Sequence, residues 1–222
     1  MSGLRDGLPP LPRHMSGLAV DERGYPVPFF VAWVDGKPDH RIAEPQAMKC
    51  CVEQSRRWIC GGPLGRFKAF IIGPMCSITR TISEPPSHLE CAQFAAKACP
   101  FLSRPHAKRR EAGLPENIQR PPGEGLLRNP TAVCVWVTLS FTPFRHGDGL
   151  LFELGEPVST HWYCEGRPAT RAEVDASIET GLPSLVELAE RDGTAALDHL
   201  AERVGAARAL LNRVLPELHS PA

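Results

Sequence analysis

Proline and glycine set the first limit on what this chain can become. Among 222 residues there are 23 prolines and 19 glycines, nearly a fifth of the chain and well above ordinary usage. Proline removes a backbone donor and glycine favours turns, so such a sequence is cut into short elements joined by irregular connections. A long helical bundle does not fit that pattern. The expectation is an α+β fold, with a cysteine-rich N-terminal half holding a hairpin and a capped helix, followed by a small antiparallel sheet with C-terminal helices.

Charge narrows the range of partners. Lys plus Arg and Asp plus Glu both number 25, so no overall field draws the protein to nucleic acid or to an anionic membrane, and any polyanion site has to be local. The opening MSGLRDGLPPLPRHMSG has no unbroken apolar segment of the kind a secretory signal needs. No apolar run reaches the roughly 18 residues of a membrane-spanning helix. The expected setting is therefore the cytoplasm, where the eight cysteines are read as thiols or metal ligands rather than as a disulfide framework.

Four regions follow along the chain. Residues 1–17, with Pro9, Pro10 and Pro12, read as a flexible N-terminal arm with little core of its own, order beginning near Leu18. Residues 18–102 form the cysteine-rich, metal-binding region. Within it, the run 25–36 is a strand closed by Asp35-Gly36, and Pro45 starts a helix that carries Cys51 and reaches about Arg57. The turn in WICGGPLG (58–65) reads as a hairpin or knuckle with Phe67–Ile72 as its second strand. Ser87 and Glu90 have capping-box spacing, and Pro100 limits the other end, which predicts a helix from about His88 to Ala98 or Cys99. Residues 103–130 are a Pro-rich connection.

Residues 131–222 supply antiparallel strands and C-terminal helices. Val133, Val135, Val137 and Leu139 alternate with Cys134, Trp136 and Thr138, the pattern of a strand with two distinct faces. LLFELGE and VSTHWYCEGRP are further strands, arranged as a meander. Thr170 and Glu173 repeat the capping-box spacing, and Gly181-Leu182-Pro183 is expected to stop that helix. Leu197, Leu200, Val204, Ala207, Leu211, Val214 and Leu218 make an apolar seam on a final helix. The seam is expected to pack on the protein's own sheet, with self-association through that helix as the alternative. FFVAWVDGKPDHR and STHWYCEGRPATR form a weak internal echo, each a strand, an acidic-Gly-basic-Pro turn and then a helix.

Six of the cysteines fall between residues 50 and 99. On a regular helix His88 and Cys91 are about 4.5 Å apart in rise and nearly aligned, so both can reach one ion, whereas Cys99 lies about 12 Å beyond Cys91. Cys60 at the Gly-rich turn and Cys76 after the next strand are the best placed to complete the set. The quartet Cys60, Cys76, His88 and Cys91 is a Cys3His arrangement suited to tetrahedral zinc, with Cys51 or Cys99 as a replacement for one member. CGGPLG is like the second half of a zinc knuckle, but Arg57 stands where the first cysteine of the pair would be. The competing reading is that these are buried thiols acting as small apolar groups.

Two other chemistries start from the same residues. Cys91 lies near a helix N-terminus, which favours thiolate, and His88 is close enough to act as its base, so a metal-dependent or thiolate-dependent enzyme is the alternative function. Cys99-Pro100 matches a dipeptide of some haem-responsive proteins, leaving haem or an iron–sulfur cluster as a lesser option. His146, Asp148, Glu153, His161 and Cys164 read as turn polarity and a sheet face; His161 and Cys164 have opposite strand parity. Arg104, Lys108, Arg109 and Arg110, with His106, form the densest basic segment, suited to phosphate contact if the ligand is a nucleic acid rather than a protein.

WICGGPLG (58–65), IGPMC (72–76), PPSHLEC (85–91), ACPFL (98–102) and EGRPATR (165–171) together resemble a family of bacterial and bacteriophage proteins with no established activity. The resemblance spans most of the chain. It implies a small accessory protein rather than a housekeeping enzyme, and carries over neither catalytic residues nor a cofactor. The leading expectation is a zinc-stabilised binding or accessory protein.

Overall fold

The structure is a computed structural model and describes residues 3–104, 107–108, 112–114 and 129–215. A 3-10 turn, Arg13–Met15, precedes a hairpin of β1 (Val31–Val34) and β2 (Lys37–Ala43) and then α1 (Pro45–Glu53). β3 (Lys68–Ile72), α2 (Pro74–Thr79), β4 (Thr81–Ile82), α3 (Leu89–Ala98) and the short α4 (Pro100–Ser103) complete the first half. The second half holds β5 (Ala132–Thr138), β6 (Phe141–His146), β7 (Gly149–Leu154), β8 (Pro157–Cys164) and β9 (Arg167–Pro168), then the long helices α5 (Arg171–Asp192) and α6 (Thr194–Val214). All strand pairs are antiparallel among the described residues, and the fold is α+β. No helix among the described residues is long and apolar enough to cross a membrane.

The core is organised around β5. It lies between β3 and β8 in the sheet β3-β5-β8-β9 and is buried along its whole length. Its alternation sends Val133, Val135 and Val137, with Ala69 and Tyr163, against Ala92 and Ala96 of α3. Cys134 and Trp136, with Phe70 and Ile72, meet Ile82, Phe152 and Leu154 of the second sheet, β4-β7-β6. Ala132 and Cys164 meet Ile78, Val174, Ile178 and Leu211 from α2, α5 and α6. Burial of Phe70 and Phe152 stabilises by roughly 1.5–3 kcal/mol each. The indole N–H of Trp136 is satisfied by the Gly155 carbonyl at 3.0 Å.

The two echoing segments have the same backbone turn. Asp35 and Gly36 have φ of 50° and 76°, and Glu165 and Gly166 have 53° and 76°. Consecutive left-handed residues close tight two-residue hairpins, which is why an acidic-Gly pair stands at both places. A helix, α1 or α5, follows each return strand.

Several sequence expectations give way to tertiary packing. The strands do not form a simple meander, because the β6–β7 hairpin leaves the main sheet and pairs with β4, making β5 and β8 neighbours. The crossing is tight at Gly155, where a Cβ would come within 2.4 Å of Ser140 Oγ. Helix α5 does not stop at Gly181-Leu182-Pro183 but continues to Asp192. A side chain at 181 would press on Met75 of α2 at 2.9 Å, so this glycine permits helix packing rather than ending the helix. Thr170 and Glu173 do form a capping box. Ser87 and Glu90 do not: His88 is the N-cap of α3 and no side chain caps it.

The N-terminal segment is not a loose arm in this fold. Met15 is 2% exposed, and Leu8, Leu11 and Leu18 pack on the cluster that Met15 forms with Ile59, Cys91 and Phe94. Leu8, Leu11, Met15 and Leu18 are spaced three and four residues apart, but Pro9, Pro10 and Pro12 among them exclude a regular helix, and the four side chains anchor the segment as irregular chain. At the other end, Leu200, Val204, Ala207 and Leu211 of the C-terminal seam pack into the protein's own core; Leu218 lies outside the described residues.

Candidate metal centre

The centre is built by stitching two loops side by side. The Trp58 N–H donates to the Pro86 carbonyl at 3.0 Å, and the Ile59 N–H donates to Ser87 Oγ at 3.2 Å. Ser87 is in turn paired with Ala69 of β3 through two backbone hydrogen bonds of 2.8 and 3.1 Å. The serine hydroxyl is thus used to hold the neighbouring loop instead of capping α3. Residue 60 is thereby set beside residue 88, and one turn of α3 brings residue 91 to the same point.

The Gly-rich turn is a closed knuckle rather than the first half of a hairpin. Arg57 N–H donates to the Gly62 carbonyl at 2.8 Å, Gly61 N–H to the Arg57 carbonyl at 2.9 Å, and Leu64 N–H to the Ser55 carbonyl at 2.7 Å. Gly61 has φ of 68°, and a Cβ there would lie 2.8 Å from the Phe29 ring. Only glycine meets both demands.

Cys60 Sγ lies 3.2 Å from His88 Nδ1, and Cys91 Sγ lies 3.9 Å from the same nitrogen. The three donor atoms are within 4.8 Å of one another and could hold a metal ion. Cys91 is 0% exposed, while Cys60 and His88 are half-buried.

The electrostatics separate the two thiols. A hydrogen bond from Cys91, with further ones from the Gly62 backbone N–H and His88, holds Cys60 well below the usual thiol range. Cys91 is pushed far up by its hydrogen bond to Cys60 and by burial. Burial lowers His88, with Arg57 and His14 adding to it, against the hydrogen bond that the imidazole donates to Cys60, so His88 is biased toward the neutral, metal-binding form. The Arg57 side chain is itself buried at 5% exposure, with its Nε–H donating to the Pro63 carbonyl at 2.8 Å. Its charge favours thiolate at Cys91.

Three of the four expected ligands therefore converge, and Cys76 does not. It lies on α2, packed with Phe70, Ile72 and Trp136, and burial pushes its thiol up to about 11. β3 separates it from the centre: Ile71 packs on the Cys91 side, whereas Phe70 and Ile72 pack on the Cys76 side. Cys51 is buried beside Trp58, with burial pushing its thiol up to about 12, and it is not among the three converging donors. Cys99 stands at the far end of α3, where Pro100 begins α4. That joint gives Cys99-Pro100 a structural role.

The reading of Cys91 as a thiolate activated by the helix terminus is also corrected. The hydrogen bond to Cys60 and burial push the Cys91 thiol up, while Cys60 is the sulfur shifted toward thiolate. In the second polar group, Tyr163 packs on the α3 side of the sheet and Cys164 on the α5 side, so His161, which shares the parity of Tyr163, faces away from Cys164. Of the basic segment, Arg104 and Lys108 are exposed; Arg109 and Arg110 lie outside the described residues.

Two neighbours of the centre were not legible as such. His14 stacks on His88 with ring centroids 3.7 Å apart and planes inclined by 6°. Arg57 was visible only as the residue replacing a knuckle cysteine; a cation beside an apolar WIC run was the available signal. The fold and site define an α+β protein with a thiol–imidazole cluster between a knuckle and a helix start. Comparison with family models, curated proteins and solved structures finds no match for this chain.

Proposed function

We propose that this is a zinc-stabilised binding or accessory protein in which Cys60, His88 and Cys91 hold the ion. The observation that supports it is the convergence of two thiols and one imidazole within 4.8 Å, from segments held together by backbone pairing. Sulfur with imidazole nitrogen is a donor set that suits zinc, and hard cations prefer oxygen. An iron–sulfur cluster calls for four thiolates as a rule, two more than meet here. One ion would lock the knuckle to the start of α3 and so fix the region most cut by proline and glycine. An accessory role in a bacterium or bacteriophage is what the family resemblance adds. The ligand is then a protein or a nucleic acid, with exposed Arg104 and Lys108 as phosphate contacts in the latter case.

Metal analysis of protein purified without added zinc tests this reading. Close to one equivalent is expected, and less than about a tenth would overturn it, since a site that contributes to folding retains its ion.

The specific observation favouring a thiol enzyme is the half-buried Cys60, whose sulfur receives hydrogen bonds from Cys91 and the Gly62 N–H. This reading moves the nucleophile from Cys91 to Cys60, with His88 beside it. It expects a metal-free protein in which iodoacetamide modifies Cys60 first; slower modification there than at partly buried Cys50 would reject it.

A further inference from the structure

We infer that His14 is the fourth ligand of the zinc centre, enclosing the ion in a Cys2His2 set and fastening the N-terminal segment over it. This deepens the metal reading given above and rests on it. Three protein ligands leave an open position, as in catalytic zinc sites, whereas structural sites are closed by a fourth. His14 is not among the three converging donors, but its ring lies parallel to that of His88 at a centroid distance of 3.7 Å, one side-chain turn from the centre.

The backbone holds His14 there while leaving its ring free to turn. Met15, the next residue, is 2% exposed and packs in the same cluster as Cys91. The turn is held by Met15 N–H to the Pro12 carbonyl at 2.8 Å and Leu18 N–H to the Met15 carbonyl at 3.1 Å. His14 itself is exposed, and among the described residues its ring is held by stacking alone. On metal binding, a turn of the side chain would exchange the stacking contact for a nitrogen–metal bond while Met15 stays in its cluster. The segment therefore has a functional reason to be pinned at this point. The rival occupant of the fourth position is a small anion, which the buried Arg57 would favour.

Cobalt(II) in place of zinc distinguishes these cases in the full-length protein. The wild type is expected to show a tetrahedral visible spectrum that neither imidazole nor azide changes. His14→Ala is expected to take up cobalt more weakly, by at least the roughly 10–100-fold that loss of an outer-shell partner costs, with a spectrum that shifts on adding imidazole. If imidazole or azide shifts the wild-type spectrum as it does that of His14→Ala, the fourth position is open and the His14 assignment fails, while the three-ligand centre stands. If the wild type takes up neither cobalt nor zinc, the metal reading itself fails. His14 is exposed, so an unchanged thermal midpoint of the metal-free variant separates loss of a ligand from loss of the fold.

Discussion

Cys60 Sγ and His88 Nδ1 lie 3.2 Å apart although 28 positions separate them in the chain. Their proximity comes from the backbone bonds of Trp58 to Pro86 and of Ser87 to Ala69, and not from any local motif. The candidate centre is therefore as rigid as the β3 edge that carries it.

Removing either partner should uncouple the knuckle from α3. Cys60→Ser and His88→Ala are expected to abolish stoichiometric zinc and lower the thermal midpoint, and a chelator should lower the wild type to the same level. With free zinc at 100 times its Kd, the bound ion contributes about 2.7 kcal/mol. Cys76→Ala is expected to keep full zinc content, because that thiol faces the other side of β3. Differential scanning calorimetry with metal analysis checks all three.

Metal affinity should fall with pH. Cys91 is held protonated by its hydrogen bond to Cys60 and by burial, and zinc must displace that proton to bind the sulfur. Zinc binding therefore releases protons, and acidification opposes it. Competition titration against a chelator of known proton dependence should show weaker zinc binding at each step down in pH, accompanied by net proton release in calorimetry.

The cap of α5 offers a test independent of the metal. Glu173 is held down to about 2 by hydrogen bonds from Arg167, then by the Thr170 backbone N–H. A carboxylate with a depressed folded-state pKa contributes stability above its ordinary value of 4.5, and that contribution is lost as pH falls toward 2. The pair is partly exposed, so screening reduces its worth. Thr170→Ala should cost about 1 kcal/mol by loss of the cap. Glu173→Gln should flatten the acid limb of the stability curve between those two pH values, measured by urea unfolding.

Asn129 is expected to matter more than its place beside a polar connection suggests. It is 5% exposed. Its amide donates to the Phe101 carbonyl at 2.6 Å and the Arg104 carbonyl at 2.8 Å, while Oδ1 accepts from the Thr131 N–H at 2.6 Å. Asn129→Ala leaves those groups without this partner and should destabilise by about 1–3 kcal/mol, read from the urea midpoint. A change below a few tenths would show that other donors replace it.

By itself the sequence determined what depends on neighbouring residues. Alternation from Val133 to Thr138 gave the central strand and its two faces, Asp35-Gly36 and Glu165-Gly166 gave matching turns, and Thr170 with Glu173 gave a cap. Each signal is complete within a few positions, because steric limits and hydrogen-bond reach act over that range. The His88–Cys91 pair was legible for the same reason, as a single turn of helix.

Tertiary structure decided which distant groups meet. Ser87 had a capping sequence but spends its hydroxyl on Ile59, and Pro183 had a stop signal but lies inside a helix packed against α2 and α6. Cys76 and Cys60 flank the same strand, yet the chain leaves β3 onto its opposite face and the sheet stands between them. His14 reaches the centre through Met15, whose burial beside Cys91 depends on surfaces assembled from both loops. Spacing constrains neighbours along the chain; only closure of the core fixes which sulfurs and imidazoles share a side.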